Sequence, residues 1–305
     1  MKIRKANISV CVLAHNEERS IERTLMALMN TDQGAFFPIT VYANGCSDRT
    51  HQIVSSLAVK YKNIRSREIP IASKVNAWNT AFEEQDSEIV VFCDGDVFPE
   101  KNAVTQLQND LLKFEDVIIS SSRLFPSWKG GNIEQRLVAF MQLPLGHEYL
   151  SGGLYAVKRD RLKEKFNQFG FAGIPKGITG EDYFLERLIE PHELYISTCK
   201  NFYMAPIIKD YIRYLARIRW QNEQMALILG DHRDVQLSPG ELLSRKLIGQ
   251  KSFLYLFISI PAVILRFFFK KFFVTKIEAA YKQLGPVVKD GEQILTSQTR
   301  SHSTK

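Results

Sequence analysis

The stretch Glu88-Ile-Val-Val-Phe-Cys-Asp-Gly-Asp-Val-Phe-Pro99 does most to limit what this chain can fold into. Ile89, Val90, Val91 and Phe92 are β-branched or aromatic and run without a polar break, the mark of a strand covered on both faces. The strand stops at Asp94-Gly95-Asp96, two carboxylates around a glycine. In open α/β sheets, ligands collect at the carboxyl ends of strands. Two acids there can hold a hard divalent cation through oxygen, and Mg²⁺ held this way commonly carries substrate phosphates too. Gly95 lets backbone pass close to a bulky ligand. The same tripeptide also suits an ordinary acidic turn.

Upstream, apolar runs alternate with helical periodicity. Ile8–Ala14 reads as a strand, followed by a helix with Ile21, Leu25 and Leu28 at helical spacing and Asn16 or Ser20 placed to cap it. Ile39–Ala43 is a second strand, ending in the turn-rich Asn44-Gly45-Cys46-Ser47-Asp48, and a helix with Ile53, Val54 and Leu57 comes next. Ile64–Ile69 is a short strand and Lys74–Phe82 a helix leading into the organising strand. Strand–helix alternation predicts a parallel sheet with right-handed crossovers. Past Pro99 the pattern predicts a helix at Val104–Leu112, a strand at Val117–Ser122, a loop at Phe125–Gly131 and a helix at Ile133–Met141. Gly152-Gly153 opens a strand running to Val157. Phe166–Gly180 reads as a long Gly-rich loop, and such loops are more often functional than accidental. It empties into a helix start, Glu181-Asp182, with acids where the helix dipole favours them. Tyr195–Cys199 reads as a short strand and Ile207–Leu229 as mostly helical.

At 305 residues the chain can bury a full core. Its four cysteines form no CxxC pair, which argues against zinc and for a reducing compartment. The run Ile8–Ala14 leads into His15-Asn16-Glu17-Glu18 with no small-residue cleavage site, so no signal peptide is expected. Net charge is +7, but Arg245–Lys289 alone carries nine Lys/Arg against one acid, Glu278, leaving the remainder close to neutral. Basic charge confined to the segment with the longest apolar run points to a membrane surface, not to nucleic acid.

Taken in order, Ala14-His15-Asn16-Glu17, Asn44-Gly45-Cys46-Ser47-Asp48-Arg49-Thr50, Lys74 with Asn79, Asp94-Gly95-Asp96, Gly152-Gly153, Glu181-Asp182 and Arg219-Trp220 resemble the family 2 glycosyltransferases over about residues 8 to 230. The resemblance implies a GT-A fold: a Rossmann-like, mostly parallel sheet with flanking helices. It implies inverting transfer of a sugar from a nucleotide-sugar donor to a hydroxyl acceptor. It also implies a role at each position. Ala14, Asn16 and Glu17 would line the nucleoside pocket. Asn44 and Asp48 would hold the base-side loop, and Lys74 would reach the nucleotide. Asp94 and Gly95 would lie at the ribose or metal-bound water, and Asp96 would ligate Mg²⁺ or Mn²⁺ on the diphosphate. Gly152 and Gly153 would shape the acceptor floor, with Arg219 and Trp220 also at the acceptor. Asp182 would be the catalytic base and Glu181 a sugar or acceptor contact.

Two departures narrow the expectation. Many relatives carry Asp where Ala43 stands, so uridine as the base is expected only from its frequency in the family. Many processive members carry Gln where Ala216 stands, so a single-addition enzyme is expected over a translocating polymer synthase. Arg213, Arg217 and Arg219 suit the pyrophosphate end or a solvated helix face. His15 sits in the nucleoside loop and His147 before the glycine pair, and neither stands out as a metal ligand. A nucleotidyltransferase making nucleotide sugars would carry a Gly-rich, basic phosphate loop after the first strand, where this chain has Ala14–Glu17. A non-catalytic sugar-binding or scaffold module would have lost the acids.

Ser252–Leu265 is 14 uncharged residues, followed by Arg266 and Phe267-Phe268-Phe269. A span needs about 20 apolar residues, and shorter runs lie at the interface more often than across it. Lys246, Lys251, Lys270, Lys271 and Lys276 flank the run on both sides, as suits an anionic cytoplasmic leaflet. The alternative is a buried hairpin or dimer contact. The expected division is a catalytic domain over 1–240, a basic, apolar, membrane-associating helical segment over 241–292, and a disordered tail over 293–305. The protein is expected to be cytoplasmic and peripheral on the membrane, with an acceptor that is lipid-linked or close to the membrane.

Overall fold

Ile89–Asp94 (β4) is a strand because every side chain from Ile89 to Cys93 has somewhere apolar to go; all five are buried. It lies beside Ile8–Ala14 (β1), with Val10 opposite Val91 and Leu13 opposite Asp94. Outward from β1 follow Ile39–Asn44 (β2) and Ile64–Ile69 (β3), all parallel. The intervening helices are Ile21–Met29 (α1), Thr50–Lys60 (α2) and Lys74–Glu84 (α3). The chain thus builds outward from β1 to β3 and returns to place β4 on the other side of β1. That reversal is a topological switch point, where the loops after two adjacent strands diverge and leave room for a ligand.

The molecule is described from a computed structural model, which describes residues 7–30, 37–127, 130–142, 149–229 and 253–284. It divides into two compact units, neither of them one continuous stretch: Met1–Leu124 with Glu148–Tyr203, and Phe125–His147 with Met204–Lys305.

The first unit carries the sheet, whose eight strands run in the order β3-β2-β1-β4-β7-β6-β8-β5. Here β5 is Val97–Pro99, β6 Ile119–Ser127, β7 Leu154–Lys158 and β8 Leu194–Met204. The sheet is mixed, which corrects the expectation of a mostly parallel one. β7 is antiparallel to both β4 and β6, and β5 is antiparallel to β8. The physical reason is that parallel pairing needs the chain to re-enter the sheet from the same end, and the β4–β7 and β6–β7 pairings show β7 entering from the opposite end. The chain between β6 and β7 includes Ile133–Met141 (α5), which belongs to the second unit. β6 also runs on to Ser127, through what the turn residues suggest is loop. Its pairing with β7 covers Ile119–Ser121, so Pro126 removes no bond from that ladder. Pro99 is likewise tolerated because β5 is the edge strand. The stretch expected as loop from Phe166 begins inside a helix, Arg159–Gln168 (α6), anchored by buried Leu162 and Phe166.

An aromatic stack locks α3 to the sheet. The Trp78 ring lies parallel to Phe82 and Phe92 at 4.9 and 4.8 Å, and Phe92 in turn stacks on Tyr155 of β7 at 5.5 Å. Trp78 Nε1 donates to the Tyr155 hydroxyl at 2.7 Å, both groups fully buried. This stack fixes the start of α3, and with it Lys74, relative to the end of β4.

In the second unit, α5 and Ile208–Leu229 (α8) share a small core of Val138, Ala139, Met141, Tyr211, Ile212 and Leu215, completed by Phe269 from the helix Phe253–Phe272. α5 is entered through a capping box, Asn132 and Gln135 each satisfying the other's backbone N–H.

Tyr155→Phe removes the acceptor of the Trp78 N–H while leaving the rings in place. It is expected to destabilise the protein by about 1–3 kcal/mol, the cost of a buried donor left unsatisfied, read as a lower urea midpoint at unchanged m-value.

Candidate active site

The loops at the switch point are sewn together by backbone groups. Gly95 N–H donates to Leu13 O at 3.0 Å and Asp94 N–H to Gly153 O at 3.0 Å, while the Thr24 hydroxyl of α1 donates to Gly95 O at 2.9 Å. The Asp-Gly-Asp turn is therefore held by β1, by the loop before β7 and by α1 together. A Cβ on Gly95 would lie 3.1 Å from both Ala14 Cβ and Glu17 Cγ, so any side chain here would press on the loop after β1.

The loop after β1 is tied to the loop after β2. Asn44 is buried and its amide donates to Ala14 O at 2.8 Å; its own carbonyl accepts from His15 Nδ1 at 2.7 Å. Asn16 sits in the left-handed region at φ 58°, which Asn tolerates, and its Oδ1 accepts from Ser47 N–H at 2.8 Å. Asp48 accepts from Glu18 N–H at 3.0 Å and from the Thr50 hydroxyl at 2.5 Å, and Thr50 Oγ1 in turn accepts from Glu17 N–H at 2.7 Å. Burial raises the Asp48 pKa, but these donors outweigh it and hold the carboxyl below its usual range. Ser20 begins α1 without capping it; its hydroxyl donates to Glu17 Oε2 at 2.5 Å. Burial, then the charge of Asp96, push Glu17 up to about 7 against that bond.

Lys74, the first residue of α3, reaches two acids from different elements: Asp94 Oδ1 at 2.7 Å and Glu181 Oε1 at 2.6 Å. Its side chain stays 41% exposed. Burial pulls its pKa down, but Asp94, Glu181 and Asp182 together drive it well above the ordinary lysine value. Glu181, expected at the sugar or acceptor, is only 1% exposed and meets Lys74. Even so, burial is the stronger influence and lifts its carboxyl to about 7.

Asp182 is the next residue of the same helix, Glu181–Leu188 (α7), and points elsewhere. A Cβ on Gly152 would lie 2.6 Å from Asp182 Oδ2, so Gly152 makes the space this carboxylate occupies. Asp182 Oδ1 accepts from its neighbour's N–H, that of Tyr183, at 2.9 Å. Gly180 opens the helix at φ 155°, a conformation side-chain-bearing residues avoid. Asn79 of α3 clamps the preceding loop, giving and accepting hydrogen bonds with the Ile174 backbone at 2.8 and 3.0 Å. Glu186 accepts from Leu150 N–H at 3.2 Å and Ser121 from Ser151 N–H at 2.9 Å, which fixes the loop carrying Gly152 and Gly153.

Asp96 reaches solvent, yet the protein packed around it, and then Asp94, push its carboxyl up to about 6, with Lys74 pulling the other way. That is the behaviour of a carboxylate pair short of positive charge. Two such oxygen donors suit Mg²⁺ or Mn²⁺, with the remaining positions left to diphosphate and water. Among the described residues no group of three or more His, Cys, Asp or Glu is placed to hold a metal by itself.

The remaining sequence expectations fall in the second unit or outside the described residues. Trp220 is 3% exposed and belongs to the interior of α8. Arg219 pairs with Glu223 at 3.3 Å and lies over the Tyr281 ring. Arg213 pairs with Asp210 and Arg217 lies over Tyr214. His147 and the tail 293–305 lie outside the described residues. The burial of Glu181 and the clamping by Asn79 carry no signal in the sequence beyond membership of the ordered motifs.

Lys74→Met leaves buried Glu181 without its cation. Glu181's pKa of about 7 lies above the unfolded value of about 4.3, so its charging costs stability. That cost is absent below the unfolded value and complete above the folded one. The substitution is therefore expected to cost about 2 kcal/mol at pH 8 and less at pH 5, where Glu181 is protonated. The double variant Lys74→Met/Glu181→Gln should regain most of the loss. Urea unfolding at the two pH values checks both.

Comparison with known proteins agrees with this geometry. Residues 9–181 match the family described as Glycosyl transferase family 2. A probable glycosyltransferase, YdaM of Bacillus subtilis (strain 168), is 35% identical over 117 residues, a match spanning 35% of this chain and only 27% of that protein. The mannosyltransferase PcManGT of Pyrobaculum calidifontis, solved in complex with GDP-Man and Mn²⁺, superposes with a TM-score of 0.57 at 17% identity, covering 97% of this chain and 87% of that one, which speaks for a shared fold. With its profile spanning more than half the sequence, the chain belongs to glycosyl transferase family 2.

Proposed function

We propose that this chain is an inverting glycosyltransferase. It moves a sugar from a nucleoside diphosphate donor, for which we favour UDP, to a hydroxyl acceptor in the assembly of glycan, glycolipid or exopolysaccharide. The observation that carries the reading is the convergence on Lys74 of Asp94 from β4 and Glu181 from α7, with Asp96 and Asp182 within its field. This brings together two acids fit for a cation and one acid fit for a base.

Sugar transfer breaks the bond between the anomeric carbon and the phosphate oxygen and forms one to the acceptor oxygen. A divalent cation on Asp96 and Asp94 supplies, when bound, positive charge to the departing diphosphate. Lys74, held charged by its acids, adds a second positive centre beside Asp94. Asp182 accepts the proton of the attacking hydroxyl; the hydroxyl becomes acidic late, as its bond to the oxocarbenium-like carbon forms, so a carboxylate can take its proton. A single displacement with one base inverts the anomeric centre, and no carboxylate nucleophile takes part. The tied loops after β1 and β2 give the nucleoside a preformed floor of Ala14, Asn16, Glu17, Asn44 and Asp48. Gly152, lacking a side chain, leaves Asp182 room to face an acceptor.

Hydrolysis of a panel of nucleotide sugars with Mn²⁺, repeated with chelator, identifies the donor. Asp182→Asn is expected to keep nucleotide affinity while transfer falls about 10²- to 10⁴-fold. Asp96→Ala is expected to abolish metal-dependent nucleotide binding in calorimetry. Normal turnover by Asp182→Asn would remove Asp182 as the base.

A further inference from the structure

From Pro261 on, the helix Phe253–Phe272 shows two apolar sides, one packed and one exposed. On the inner side Phe269 is buried between Tyr211 at 5.4 Å and Phe273 at 4.4 Å, with Ala262 and Val263 also buried. On the outer side Ile264, Phe267, Phe268 and Phe272 follow the i, i+3, i+4, i+8 spacing of one helical stripe. They are 49, 47, 59 and 80% exposed, and Val274 continues the stripe past the helix end. Isolated exposed apolar residues need no explanation, but a contiguous stripe of three phenylalanines and an isoleucine does.

We propose that this stripe is a docking surface for an anionic lipid bilayer, on which the helix lies without crossing. Charge decides between occupants. From 253 to 277 the sequence holds no Asp or Glu but has Arg266, Lys270, Lys271 and Lys276. Lys271 falls within the apolar stripe and Lys270 beside it. A second copy docked through the same patch would set like charges against like, since a two-fold interface sets this wholly basic patch against itself. An anionic leaflet complements them: phenylalanines enter the headgroup boundary, and the lysine stems lie along apolar surface while their ammonium groups stay at the phosphates. Among the described residues no helix is long and apolar enough to cross a membrane, and Pro261 interrupts the hydrogen bonding of this one. Docking of this kind stands apart from the chemistry proposed above. If that chemistry holds, docking would also bring the chain to hydroxyl acceptors carried on lipid.

Flotation of the full chain with vesicles tests the surface, using phosphatidylcholine alone and phosphatidylcholine mixed with phosphatidylglycerol. Binding is expected to the mixed vesicles, weakening as salt is raised. Phe267→Ser/Phe268→Ser/Phe272→Ser should lower the partition at least about 10-fold, and Lys270→Gln/Lys271→Gln about 5-fold per lysine. Phe272→Ser alone, at the most exposed position, should weaken binding without shifting the thermal midpoint, which separates docking from folding. Failure of the full chain to float with anionic vesicles would overturn the proposal, as would equal flotation of the triple variant. So would a dimer, seen by light scattering, that the triple variant dissolves while no vesicle binding is detected. Nucleotide-sugar turnover in vesicle-free buffer reads the proposed chemistry separately.

Discussion

A single lysine holds the chemistry of this molecule in place. Lys74 begins one helix, ends its reach at the carboxyl end of the central strand, and touches the first residue of a second helix more than a hundred positions later. Its one positive charge faces Asp94, Glu181 and, at longer range, Asp182. One cation cannot neutralise them all, and Asp96 adds a further acid. The site is therefore built with a surplus of negative charge, which the fold tolerates because Glu181 and Asp96 can hold protons near neutrality. Such a surplus opposes folding and favours a bound cation, a familiar exchange of stability for function.

The rest of the fold can be understood as what keeps that lysine where it is. The stack of Phe82, Trp78, Phe92 and Tyr155 ties α3 to β4 and β7 without a polar atom left over, since the indole donor meets the phenol. Asn79, five residues on from Lys74, fastens the loop that delivers α7. A shift of α3 along its axis would move Lys74 and Asn79 together and disturb both acids it serves.

Much of the first half was legible in the residues. Apolar runs such as Ile8–Ala14 and Ile89–Cys93 can only be strands buried on both faces, and the helices between them impose parallel pairing. Beyond Pro99 that logic weakens. α6 reads Arg-Asp-Arg-Leu-Lys-Glu-Lys-Phe, with Leu162 and Phe166 alone marking an inner face, so its period is drowned by charge. β8 alternates buried and exposed residues only over Ser197–Asn201 of its 11 positions, and Tyr195–Cys199 alone looks like a strand. The direction of β7 is set by the end of the sheet at which the chain re-enters, which no local pattern reports. In the site, Asp94, Asp96 and Asp182 were recognisable because their types and order form a motif. That Glu181 meets Lys74 while Asp182 turns to Gly152 is a matter of helix phase, visible only once α3 and α7 are side by side.

The closeness of Gly152 to Asp182 has an implication for descent. A methyl group at 152 would fall 2.6 Å from the Asp182 oxygen, so the two sites cannot drift separately. A lineage that swaps this glycine for a larger residue must also shorten, rotate or discard the acid. Among homologous copies, a side chain at the first position would thus mark a chain whose acid has turned away from where it stands here, even where the aspartate codon survives.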